Sequence, residues 1–155
     1  MTMRSFVQTA VTVAAVTIAA GRLAAAPPAV RVVELQGNDL MKYSVTAIAA
    51  KPGELLHVKL KNGGTLPKAA MAHNFILLAK GTDASAFANA AATASATGYV
   101  PAQFKAKILA STPLAGPGET VEVTFKAPAV PGDYTFLCSF PGHFLSGMKG
   151  VLTVK

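Results

Sequence analysis

The 155-residue chain carries 14 Lys+Arg against 7 Asp+Glu, a formal net charge of +7, with 52% hydrophobic residues, three histidines and one cysteine. A single cysteine excludes an internal disulfide and any four-sulfur zinc or iron–sulfur site, and the scattered lysines speak against a nucleic-acid surface. No nucleophile constellation, phosphate loop or carboxylate pair placed for acid–base work stands out, so nothing marks the chain as an enzyme.

Residues 1–26 read as a secretory signal peptide. Arg4 supplies a positive start, Phe6 to Ala20 are uncharged and apolar, and Leu23-Ala24-Ala25-Ala26 offers small residues for cleavage. The apolar run falls short of the ~20 residues of a spanning helix. Export to the periplasm follows, with no membrane attachment after cleavage. Residues 27–155 then form one domain, and without Arg4 and Arg22 its basic residues number 12 against 7 acidic ones.

From residue 30 the chain is punctuated like an all-β protein. Candidate strands are Val30–Gln36, Tyr43–Ala49, Glu54–Asn62, His73–Ala79, Lys105–Ser111, Glu119–Lys126, Asp133–Cys138 and Lys149–Lys155. Val121, Val123 and Phe125 alternate with polar residues, as do Leu56, Val58 and Leu60, the pattern of half-buried strands. Gly37-Asn38-Asp39, Lys51-Pro52-Gly53, Gly63-Gly64, Gly116-Pro117-Gly118 and Pro131-Gly132 supply turns. Seven or eight such strands imply a Greek-key sandwich or barrel. The alanine-rich segment 82–97 interrupts the pattern: Asp83 or Ser85 could cap a short helix there, the alternative being a flexible insertion.

The chemistry gathers at Cys138-Ser139-Phe140-Pro141-Gly142-His143 and Met148, where a thiol, an imidazole and a thioether share one loop at the end of an apolar strand. Two histidines and a cysteine in a plane with a weak axial methionine make a blue-copper electron-transfer site. The second histidine has to come from elsewhere. His73 opens an apolar run and can project from a strand end, whereas His57 alternates with Lys59 and Lys61 on a solvent face. The expected ligands are therefore His73, Cys138 and His143, with Met148 axial. Asn74 and Ser139, each following a ligand, are expected to bond across the two loops and orient the sulfur. Leu66, Met71, Phe140, Pro141 and Leu145, with Phe144, are expected to form an apolar docking patch around an imidazole edge that reaches the surface.

Four patches carry a resemblance: Leu35-Gln36-Gly37-Asn38-Asp39 with Met41; Leu66-Pro67-Lys68; Met71-Ala72-His73-Asn74; and Cys138 to His143 continuing to Met148-Lys149-Gly150. In these the chain resembles the azurin-like blue copper proteins of the cupredoxin family. The resemblance implies one type 1 copper cycling between Cu(II) and Cu(I), and transient docking to redox proteins such as cytochromes, dehydrogenases or reductases. Against that reading stands delivery or buffering of copper without redox cycling, which calls for exposed, exchangeable ligands. There are departures from the family's pattern. Four residues separate His143 from Met148 instead of three, and Ala72 stands where the family has a glycine whose carbonyl approaches copper, so a Cβ is expected to restrict the backbone. Phe75 takes the place of a core tryptophan, and Asn62 that of a pH-sensitive histidine.

Overall fold

A computed structural model describes residues 29–155, so the signal segment expected at 1–26 lies outside the described residues. Eight strands form two sheets. The first joins β1 (Val30–Gly37), β3 (Leu55–Asn62) and β6 (Thr120–Lys126), with β3 central, parallel to β1 and antiparallel to β6. The second runs β2 (Ala47–Ala50), β8 (Lys149–Val154), β7 (Gly132–Leu137), β4 (Ile76–Leu78) and β5 (Ile108–Ser111).

Period-2 patterning sets which face of the first sheet turns inward. Leu56, Val58 and Leu60 lie opposite Phe125, Val123 and Val121. These three β3 side chains are fully buried, in one core with Leu77, Tyr134, Phe136 and Leu152 of the second sheet. Phe75 spans the layers, its ring 6.3 Å from Phe125 and 5.3 Å from Phe136.

The second sheet is covered on its outer face as well. Ile76, Leu78 and Leu137 point away from the main core and meet Phe87 and Ala91 of a helix, together with Phe144. With α1 the single turn Lys68–Met71, this helix is α2, Ala84–Ala91. The alanine-rich segment is thus helical over those residues, capped by Asp83, whose Oδ1 accepts from the Ser85 and Ala86 N–H groups at 2.9 and 3.0 Å. Three expected strands are shorter than the pattern implies: Tyr43–Ala49, His73–Ala79 and Lys105–Ser111. Tyr43 makes only an isolated bridge to Gly37, the chain bends at Ser44, and the paired strand begins at Ala47. Residues 102–107 wind into a 3-10 turn before β5 begins.

Candidate metal centre

Two ligand loops converge at one end of the sandwich. His73 precedes β4, tied to the facing loop by paired backbone bonds with Ala115 of 3.0 and 2.7 Å. Cys138 follows β7 directly, and its N–H donates to the Met148 carbonyl at 3.1 Å. His143 sits in the turn between them, and the Met148 N–H returns to its carbonyl at 2.9 Å. That last bond closes the ligand loop on itself.

The side chains meet in the interior. Nδ1 of His73 lies 3.3 Å from Nδ1 of His143, and the Cys138 sulfur lies 3.4 Å from that same His143 nitrogen. The three donor atoms all fall within 4.8 Å of one another, and all three residues are buried. Donors in a trigonal plane about 2.0 Å from a common centre stand about 3.5 Å apart, so the triangle has the size of a first-row metal site. Met148 is fully buried beside it. A Cβ built on Gly37 would come within 2.6 Å of His73 Cδ2 and 2.9 Å of Met148 Cε, which places imidazole and thioether against the same backbone. Gly37 is a glycine because nothing larger fits between them. The set of two imidazoles, one thiol and one thioether suits copper and not a hard cation.

Burial decides the protonation states. Desolvation lowers the His73 pKa, and it lowers that of His143 to about 4, with His73 adding to the effect. Desolvation raises the Cys138 thiol to about 11, while the backbone N–H groups of Asn74 and Phe140 partly oppose this. The copper-free site at neutral pH is two neutral imidazoles and a thiol. Both imidazoles are therefore ready to donate a lone pair, and only the thiol has a proton to lose.

Around the triangle the supports are polar and paired. Asn74 Nδ2 donates to Ser139 Oγ at 2.8 Å, and the Ser139 N–H donates to Asn74 Oδ1 at 2.9 Å, joining the two ligand loops in both directions. The Tyr43 hydroxyl donates to the Asn74 carbonyl. Ala72 is extended, at φ −80° and ψ 153°, and its carbonyl oxygen lies 4.0 Å from the Cys138 sulfur. The expected restriction by its Cβ is corrected, since any L-residue adopts this conformation. Asn62 has a part that its position in the sequence did not reveal. Its Nδ2 donates to the carbonyls of Met71 and Ala115 at 3.1 and 3.0 Å, binding together the loops on both sides of His73. The only signal was an asparagine ahead of Gly63-Gly64.

The docking patch needs correction. Leu145 is 77% exposed and Leu66 43%, with Met71 and Pro141 half-buried, but Phe140 is buried. Its ring packs edge-on against Tyr99 at 5.1 Å and lies 4.8 Å from the His143 ring, and His143 is only 1% exposed. The imidazole edge thus lies beneath the surface. Phe144 belongs to the core under α2, and Leu40, 74% exposed, is an exposed apolar residue that the sequence reading passed over. His57 stands outside the triangle, half-buried on β3, with Nδ1 2.6 Å from Thr124 Oγ1 and Nε2 3.1 Å from Glu122 Oε2.

Comparison with known proteins agrees with the donor set. The sequence profile of copper binding proteins, plastocyanin/azurin family, matches residues 29–155. The chain is 40% identical over 124 residues to azurin from Alcaligenes faecalis, covering 77% of this chain and 94% of that one. It is 36% identical over 117 residues to auracyanin-B from Chloroflexus aurantiacus, covering 75% of this chain and 48% of the relative, so it spans about half that protein's length. The solved structure of auracyanin A, a "blue" copper protein from Chloroflexus aurantiacus, is similar with a TM-score of 0.72 at 33% identity, covering 82% of this chain and all of that one.

Proposed function

The chain belongs to the plastocyanin/azurin family of copper-binding proteins, and on that premise we propose that it carries single electrons between redox partners on one type 1 copper, which His73, Cys138, His143 and Met148 would hold. The observation that carries this reading is the buried triangle of one sulfur and two neutral imidazole nitrogens. Copper bound there supplies a one-electron Cu(II)/Cu(I) couple.

The chain's own residues do the rest. His73 and His143 offer their Nδ1 atoms toward the common point, and burial keeps both unprotonated at neutral pH. Asn74 and Ser139 hold the cysteine loop against the histidine loop, so the donors have one arrangement. Cys138 is itself fully buried, in one core cluster with Ala72, Phe75 and Phe140, so its sulfur lies out of water. Such fixed surroundings mean that little rearranges when the charge at the centre changes. The same burial weighs against copper delivery, which needs ligands that a partner can reach.

The exposed Leu40, Leu66 and Leu145 mark the surface at which a redox protein docks, in a small and short-lived contact. Among the described residues no helix is long and apolar enough to cross a membrane. With residues 1–26 acting as an export signal, the carrier works in the periplasm. Adding Cu(II) to the purified protein should give an intense blue colour that ascorbate bleaches and a mild oxidant restores over repeated cycles. A colourless complex, or colour that never returns, contradicts the proposal.

A further inference from the structure

The ligand loop is held from outside by a residue that belongs to neither ligand motif. Lys42 lies 104 residues before Ser146, and its ammonium donates to the Ser146 carbonyl. The same Nζ stands over Gly147, where a built Cβ would come within 2.8 Å of it. Gly147 has φ 94°, so the backbone turns sharply at the residue before Met148. One cation therefore covers the last two residues of the four that separate His143 from Met148.

Lys42 is itself well anchored. Its own N–H donates to Asn38 Oδ1 at 3.2 Å, the Leu40 N–H shares that acceptor at 3.1 Å, and the Met41 N–H donates to the Asn38 carbonyl at 3.0 Å. The same segment reaches the centre at both ends. Gly37 lies against His73 and Met148, and the neighbouring Tyr43 holds the Asn74 carbonyl. A bond from this segment to Ser146 thus ties the free side of the ligand loop to the backbone that already meets the other ligands. Without it, the Ser146, Gly147 and Met148 N–H groups would be held by the loop's internal bonds to Gly142, Phe144 and His143, with the Cys138 N–H on the Met148 carbonyl as the tie to β7.

We propose that Lys42 is a positioning residue for Met148: its ammonium clamps the Ser146–Gly147 peptide and so fixes where the thioether stands beside His73, Cys138 and His143. This rests on the reading of those residues as the copper site. Charge-assisted bonds to a carbonyl are stronger than neutral ones, which suits a side chain meant to hold a turn.

Hydrogen exchange in the copper-free protein tests the clamp apart from the metal. In Lys42→Met, which keeps the stem but loses the donor, the amides of Ser146, Gly147 and Met148 should exchange roughly fivefold to tenfold faster. Lys42→Arg should bring them back toward the original rates, and Lys61→Met, on β3, should leave them unchanged. Removing a positive charge alone lowers the local hydroxide concentration and slows base-catalysed exchange, so acceleration has the sign that only a lost clamp gives. In the copper-loaded protein Lys42→Met should alter the visible spectrum, with Lys42→Arg restoring it. Unchanged or slower exchange in Lys42→Met would overturn the proposal, as would faster exchange with an unaltered copper spectrum. A chain that took up no copper would defeat the proposed function, while the exchange rates would still decide the clamp.

Discussion

Two histidines, one on β3 of the first sheet and one just before β4 of the second, have opposite surroundings. His57 lies on the outward face of β3, where Thr124 and Glu122 of β6 bond both ring nitrogens. His73 lies just before β4, fully buried, with Nδ1 facing another imidazole. The first is a residue of a satisfied polar surface. The second is an arrangement that makes little sense for folding alone, because two imidazoles and a thiol brought together in an interior cost free energy unless something binds them. The same residue type is thus a satisfied surface group at one place and part of a candidate metal site at the other, and the difference lies in whether it sits on the outer face of a sheet or in the buried loops at the sandwich's end.

The largest expected effect sharpens the cost of the buried end. In the copper-free protein the His143 pKa of about 4 lies below the 6.5 of an unperturbed histidine. Between those values the unfolded chain binds more protons than the folded one, so stability is present above about pH 6.5 and is lost as pH falls toward about 4. The shift corresponds to about 3 kcal/mol from this residue, with His73 acting in the same direction. Urea unfolding from pH 7 to pH 4 reads it, and a flat profile would break the contrast.

Next comes the bridge between the ligand loops. Asn74→Ala leaves the buried Ser139 N–H without its acceptor. We expect a loss of about 1–3 kcal/mol in stability, seen in urea unfolding, and copper affinity weakened about 10–100-fold in competition with a chelator. The smallest effect belongs to the polar face. His57→Ala should change stability by under about 1 kcal/mol and leave the blue absorption as it was. If it removed the colour, the division between the two regions would be wrong.

The eight strands and the metal triangle were legible because both are written in residue type and spacing: alternation in β3 and β6, and a lone cysteine five residues before a histidine. What escaped depends on partners distant in sequence. Phe140 looks like a surface aromatic in its loop, but Tyr99, distant in sequence, packs against it in the fold. Asn62 and Lys42 are ordinary turn and surface residues until folding carries Met71, Ala115 and Ser146 to them. The strand at His73–Ala79 shrank to Ile76–Leu78, because His73 spends its backbone bonds on Ala115 and the register shifts at Leu77 and Leu78.

Copper-edge X-ray absorption on the protein loaded with one equivalent of Cu(II) reads the atoms bound to the metal. The account expects one sulfur and two imidazole nitrogens bound closely to the metal, and loss of that sulfur signal in Cys138→Ser. Bonding to oxygen and nitrogen alone, or a short sulfur contact that survives the substitution, would contradict it.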